Sequence, residues 1–93
     1  MTNLDTAISA HAAAEAAFDA ACQRFTNAQR ALKRSKSAAN KAEFIASRDA
    51  HEVAAEACRA AQGQVERAET VARRLALVAP RRAARTAQGD LFA

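Results

Sequence analysis

The sequence predicts an all-α fold: an antiparallel two-helix coiled-coil hairpin with an alanine-rich seam, followed by a flexible C-terminal tail. Alanine, the residue that most favours a helix, accounts for 29 of the 93 residues. Glycine occurs twice, proline once, and tryptophan and tyrosine are absent. Because strands use β-branched and aromatic residues and short elements need turn residues, we exclude a β-sandwich, a barrel and an α/β fold. A seven-residue repeat is the second observation.

The repeat defines a first helix at about residues 4–35. Large residues recur every seven positions, and an alanine stands three positions after most of them. The large positions are Leu4, His11, Phe18, Phe25 and Leu32, and the small ones are Ala7, Ala14, Ala21 and Ala28. Asn3 or Thr6 is expected to cap this helix, and Asp5 lies where the positive end of the helix dipole favours an acid.

A second repeat, out of register with the first, defines a helix at about residues 41–78. Its large positions are Phe44, His51, Cys58, Val65 and Ala72, and the positions three residues on are Ser47, Ala54, Ala61, Ala68 and Leu75. The change of register predicts a turn at 36–40. Ser37 and Asn40 are N-cap residue types, and Asn40 with Glu43 has capping-box spacing. Pro80 should end the helix near Val78, so residues 1–79 form the hairpin and 80–93 the tail.

Folding the chain back at this turn opposes positions whose numbers sum to about 77. The predicted pairs are Leu32 with Phe44 or Ile45, Phe25 with His51, Phe18 with Cys58, His11 with Val65, and Leu4 with Ala72 or Arg73. The alanine seam should let the backbones approach closely. One continuous helix that dimerises in parallel is the alternative.

Further apolar residues fall beside the seam, where a two-helix hairpin cannot cover them. They are Ile8, Cys22, Ile45, Val53, Val71, Leu77 and Val78. Either these residues are tolerated at the surface, or two hairpins pair into a four-helix bundle. We expect a homodimer.

The side chains with reactive chemistry form no pattern typical of an enzyme. His11 and His51 occupy core-type positions, and Glu15 could bond to His11 locally. Cys22 and Cys58 lack metal-ligand spacing, so we expect free thiols, no metal and no cofactor. Charged residues interrupt every apolar stretch and no signal peptide precedes Leu4, so we expect a cytoplasmic protein without a membrane span.

The net charge of +4 is concentrated in two clusters. Around the predicted turn lie Arg30, Lys33, Arg34, Lys36 and Lys41, and after the proline lie Arg81, Arg82 and Arg85. Such clusters attract polyanions through counterion release, or they simply solvate a helix end and a tail. Both clusters are therefore candidate nucleic-acid contacts.

The tail ends in an adjacent apolar pair within the sequence Gln-Gly-Asp-Leu-Phe at 88–92. This pentapeptide resembles the motif by which bacterial replication and repair proteins bind the DNA polymerase III β sliding clamp. The resemblance implies that Gln88 forms a hydrogen bond at the outer subsite, that Asp90 occupies the connecting stretch, and that Leu91 and Phe92 fill the deep hydrophobic subsite. Gly89 replaces the favoured Leu, which implies modest affinity.

The resulting prediction is a non-enzymatic adaptor or regulator of bacterial, phage or plasmid origin that binds the sliding clamp through its tail. It would be nucleoid-associated when clamp-bound. One alternative is a nucleic-acid-binding protein that uses the basic hairpin tip. Another is a structural coiled-coil adaptor whose partner is a helix along the side of Ile45, Val53 and Val71. A third is that Leu91 and Phe92 fold back onto the hairpin.

Overall fold

The computed structural model describes the backbone of residues 2–92 and the side chains of residues 2–78. Helix α1 comprises Asn3–Arg34, residues 35–37 are not helical, and helix α2 comprises Ala38–Phe92. The helices pack against each other as a hairpin that measures 15 × 14 Å in its two short directions. The predicted all-α hairpin is thereby confirmed.

The first helix is capped by Thr2 rather than by Asn3 or Thr6. Thr2 has extended backbone angles, and its hydroxyl accepts a hydrogen bond from the Asp5 backbone nitrogen at 3.1 Å. The Asp5 carboxylate accepts from the Thr2 backbone nitrogen at 3.2 Å, which completes a capping box. The cap is therefore one residue earlier than the earliest candidate, and Asp5 has a capping role in addition to its favourable charge.

The turn is shorter than predicted and lies at 35–37 rather than at 36–40. Ser37 caps α2, because its hydroxyl accepts from the Asn40 backbone nitrogen at 3.1 Å. Asn40 is therefore inside the helix, and the predicted capping box of Asn40 with Glu43 is wrong. The Asn40 side chain instead donates to the carbonyl oxygens of Ala31 and Ser35, at 3.2 and 2.8 Å. The Ala31 carbonyl also accepts the last helical hydrogen bond of α1, from the Ser35 backbone nitrogen at 3.0 Å, whereas the Ser35 carbonyl lies beyond the end of the helix.

The aromatic rings of the seam confirm the antiparallel register. The ring of Phe25 lies 5.6 Å from that of His51, the predicted pair, and 5.4 Å from that of Phe44. His51 also lies 5.1 Å from the ring of Phe18. Rings at these separations contribute beyond the area that they bury. The imidazole of His51 is thus a packing group between two phenylalanines.

Small residues permit the close approach of the two helices. Ala28 is 3% exposed, Ala7 8% and Ser47 0%. The Ser47 hydroxyl, although fully buried, donates to the carbonyl oxygen of Phe44 at 3.0 Å, so its burial leaves no polar atom unpaired. The predicted role of Ala7, Ala28 and Ser47 as small seam residues is confirmed.

The seam ends where α1 begins, and this corrects the prediction for Leu75. The repeat predicts Leu75 in the seam, yet it is 62% exposed. In the antiparallel register its level corresponds to residue 2, ahead of the first residue of α1 at Asn3. Only the first residues of α1, Asn3 and Leu4, border the same surface as Leu75, and they leave most of its side chain exposed.

The backbone of α2 continues to Phe92 and passes the predicted end near Val78. Pro80 lacks the N–H that a helix would use there and normally disfavours continuation. Six of the next seven residues, 81–87, however, are alanine or arginine, both strong helix formers. The predicted end of the second helix near Val78 is therefore wrong, and the helix ends at Phe92. The side chains of the predicted tail, 80–93, lie outside the described residues.

Apolar side chains remain exposed on the outside of the hairpin, as predicted. Ile8 and Ile45 are each 49% exposed, and Val53, Val71 and Leu77 are exposed by more than half. Cys22 and Cys58 are each half-buried, and neither forms a disulfide bond. Within the described part of the chain, neither helix has a stretch long and apolar enough to cross a membrane.

Candidate functional site

The tip of the hairpin is strongly basic. From Arg24 to Arg48 the chain has seven basic residues and one acid, Glu43. The end of α1, the turn and the first turn of α2 bring the predicted nucleic-acid contacts to this tip, and all five are exposed: Arg30, Lys33, Arg34, Lys36 and Lys41. The side of the hairpin away from the tip has the opposite balance, because residues 1–23 and 49–78 have eight acids and four basic residues. The described hairpin is therefore a rod with a positive tip and a negative shaft.

The one acid of the tip region is engaged by an arginine of the other helix. The Arg24 guanidinium donates from Nε to Glu43 Oε1 at 2.6 Å and from Nη2 to Oε2 at 3.2 Å, a two-point ion pair. This hydrogen bonding lowers the pKa of Glu43 and raises the pKa of Arg24. Both side chains are about half-exposed, so the pair contributes little to stability. Its local effect is to hold the Glu43 carboxylate on Arg24.

Two grooves flank the tip on either side of the helix pair. The first, about 310 Å³ in volume, is lined by the apolar side chains of Leu32 and Phe44 and by Gln29, Lys33 and Lys36. It combines an aromatic ring, an amide and two ammonium groups. The second, about 500 Å³, contains the ion pair of Arg24 and Glu43 above an alanine floor. The first groove is thus the one that joins apolar surface to positive charge without an acid.

Sequence reasoning identified Lys33 and Lys36 as candidate contacts but did not identify this groove. The predicted pairing of Leu32 with Phe44 already places the two apolar residues of this groove together. Lys33 and Lys36, close to Leu32 along the chain, border the same surface. Gln29, one turn before Leu32, was likewise overlooked.

The two histidines make contacts within the hairpin. His11 Nε2 lies 3.2 Å from Glu15 Oε1, the predicted local contact, and the His11 side chain is 25% exposed. His51 packs against the phenylalanine rings of the seam. Among the described residues, no three His, Cys, Asp or Glu side chains are grouped so that they could hold a metal ion.

The predicted clamp-binding residues are on the last turns of α2. The side chains of Gln88, Asp90, Leu91 and Phe92 lie outside the described residues, as do those of Arg81, Arg82 and Arg85. Their roles therefore stay predictions from the sequence.

Comparison with protein families, with characterised proteins and with solved structures finds no match to this chain.

Proposed function

We propose that this protein is a small non-enzymatic adaptor of bacterial, phage or plasmid origin that binds the DNA polymerase III β sliding clamp through residues 88–92. The observation that carries the proposal is the pentapeptide Gln-Gly-Asp-Leu-Phe itself. Its apolar pair, Leu91 and Phe92, would supply most of the binding free energy by burial in a hydrophobic subsite. Gln88 would add a directional hydrogen bond.

The basic segment before the motif supports the same proposal. Arg81, Arg82 and Arg85 precede the motif by only a few residues. A clamp encircles duplex DNA, so these guanidinium groups would lie close to phosphates and add a salt-dependent contribution to binding. The adaptor would then act in the bacterial cytoplasm, at the nucleoid.

A calorimetric titration of the full chain with purified clamp tests this function. We expect an affinity of about 1 μM for the native chain, or about −8 kcal/mol. Leu91→Ala and Phe92→Ala should each weaken it by about tenfold or more, because each removes most of a buried apolar side chain. Leu77→Ala is the matched control, since it truncates an exposed apolar residue of α2 outside the motif. Equal binding by all variants, or no binding by the native chain, would remove the proposal.

We propose nucleic-acid binding at the hairpin tip as a second function. The exposure of Arg30, Lys33, Arg34, Lys36 and Lys41 on one end of the rod favours it. A polyanion near this end meets many cations, and the one acid of the region is held by Arg24. Binding of this kind releases counterions from the nucleic acid and is sensitive to salt.

A filter-binding assay at several salt concentrations separates the two functions. Tip binding should persist after deletion of residues 88–93, whereas clamp binding should be lost. Replacing Arg30 and Arg34 by Gln should reduce both the affinity for nucleic acid and its salt dependence. The same replacements at Arg59 and Arg67, which are exposed on the shaft, provide the control. Equal losses from tip and shaft variants would argue against a site at the tip.

A further inference from the structure

We propose that the tip binds single-stranded nucleic acid, with a base stacked on Phe44 in the groove that Leu32, Lys33 and Lys36 border. This inference rests on the proposed binding of nucleic acid at the tip and specifies its substrate class. The groove has a volume of about 310 Å³ and is lined by Gln29, Leu32, Lys33, Lys36 and Phe44.

The composition of the groove matches the chemistry of a nucleotide. Single-strand-binding sites combine a positively charged track for the phosphates with aromatic rings on which bases stack. Lys33 and Lys36 supply the charge, and Phe44 supplies the ring. Gln29 adds an amide that can both donate to and accept from a base edge. All of these groups border one open surface.

The Phe44 ring is held in place by a second aromatic ring. Phe25 packs against Phe44 with ring centroids 5.4 Å apart and planes inclined by 35°. Phe25 is in turn packed against His51, at 5.6 Å. Phe44 is therefore the outermost member of a row of rings. A base that stacks on it meets a side chain whose position is already fixed, which reduces the conformational entropy lost on binding.

The dimensions of the tip disfavour readout of duplex DNA. The major groove of B-DNA is about 12 Å wide and admits one helix. Each helix is about 10–12 Å in diameter with its side chains, so two helices packed side by side are wider than this groove. The tip as a whole is therefore too wide to enter the groove. In a duplex the bases are also stacked on one another, so none is free to lie against Phe44.

The charge pattern favours a nucleic acid over an acidic protein segment. Seven basic residues lie between Arg24 and Arg48 on both helices and in the turn, so the positive surface extends well beyond the groove. A continuous chain of phosphates can follow such a surface, whereas an acidic peptide would present its carboxylates at less regular intervals. An acidic peptide also has no flat apolar ring system to match Phe44, unless aromatic residues are interspersed.

The test is fluorescence anisotropy of the full chain with a labelled single strand, the same sequence as a duplex, and a polyglutamate peptide. We expect the single strand to bind at least about tenfold tighter than the duplex, as stacking on an aromatic ring implies. Phe44→Leu should lower the affinity for the single strand about tenfold and leave that for the duplex unchanged. Lys33→Gln with Lys36→Gln should reduce the salt slope by about 0.7 for each phosphate that a lysine no longer neutralises.

A fluorine-labelled chain provides a measurement that does not depend on a folded variant. The protein has four phenylalanines, so fluorophenylalanine gives four resonances. Adding the single strand should shift the Phe44 resonance and leave that of Phe18, which packs in the seam, unchanged.

The outcomes separate the inference from the function on which it rests. No binding of either nucleic acid, or tighter binding of polyglutamate, would overturn both. Preference for the duplex, an unshifted Phe44 resonance, or full single-strand affinity of Phe44→Leu would overturn the single-strand inference and leave nucleic-acid binding at the tip standing.

Discussion

Asn40 donates from its side-chain nitrogen to the carbonyl oxygen of Ser35, 2.8 Å away, and so connects the start of α2 to the end of α1. The same nitrogen donates to the carbonyl oxygen of Ala31 at 3.2 Å. One side chain thereby bonds to two carbonyl groups at the C-terminus of α1, of which that of Ala31 also accepts from the Ser35 backbone nitrogen. The direction in which the chain leaves α1 is thus coupled to the position of α2, and this coupling brings Lys33, Lys36 and Phe44 to one surface.

Asn40→Ala should lower the free energy of unfolding by about 1–2 kcal/mol, because it removes both of these hydrogen bonds at a half-buried position. Chemical denaturation followed by circular dichroism measures this change. Asn27→Ala is the control: Asn27 is exposed on α1 and makes no side-chain hydrogen bond within the described part of the chain. Asn27→Ala makes the same chemical change within a helix, so a larger loss of stability in Asn40→Ala reports the bonds of Asn40. If the two variants are equally stable, the side chain does not hold the turn.

The sequence predicts the helices and their register well, because both follow from a repeat that extends over many residues. The pairing of Phe25 with His51 is the clearest example. The ends of the helices were less well predicted, since each depends on one or two local hydrogen bonds among several competing Ser, Thr and Asn residues. Asn40 has the residue type and spacing of a cap, yet Ser37 caps the helix and frees Asn40 for the turn.

The candidate site is likewise predicted only in part from the sequence. The order of the charged residues in the sequence locates the positive charge of the tip, because charges close along the chain stay close in a hairpin. The groove between Leu32 and Phe44 depends on how the helices pack, so only the structure shows that Gln29 and the two lysines border it. The exposure of Leu75 likewise depends on where α1 begins.

The close approach of the helices at Ala28 can be tested by overpacking. Ala28 is 3% exposed and borders the groove of Arg24 and Glu43, so the larger side chain of Ala28→Leu should press on α2 and cost about 1–3 kcal/mol. Ala13→Leu makes the same chemical change at an exposed position of α1 and should be nearly neutral. Denaturant midpoints of the two variants provide the comparison. Equal midpoints would mean that the helices can separate at Ala28 without loss.

The ion pair of Arg24 with Glu43 predicts a pH dependence of known sign. Its hydrogen bond with Arg24 lowers the pKa of Glu43 in the folded chain below its ordinary value near 4.5. The stabilisation is therefore present above that value and is lost as the pH falls through the lower folded-state pKa. Arg24 stays charged throughout, because its pKa is raised from an already high value.

Glu43→Gln should consequently melt at a slightly lower temperature than the native chain at pH 7, and this difference should disappear at a pH well below 4.5. The effect is small because both side chains are about half-exposed. Glu56→Gln, at an exposed position of α2, is the control for loss of a carboxylate. A difference between native chain and Glu43→Gln that stays constant down to low pH would contradict the ion-pair account.

The exposed apolar side chains predict that two hairpins associate. Val53 and Val71 are 68% and 52% exposed. They are eighteen residues apart, five full turns of a helix, so they lie on the same face of α2. A second hairpin that covers this face would remove apolar surface from water and complete a four-helix bundle. Size-exclusion chromatography with light scattering should therefore give the mass of a dimer at tens of micromolar.

Val53→Glu combined with Val71→Glu should shift this equilibrium to the monomer, because it places carboxylates in the contact. Gln62→Glu adds a charge at another exposed position of α2, half a turn of the helical wheel away from Val53, and should leave the dimer intact. A monomer mass for the native chain would mean that the hairpin tolerates these residues at its surface. Dissociation by Gln62→Glu as well would instead place the contact on another face of α2.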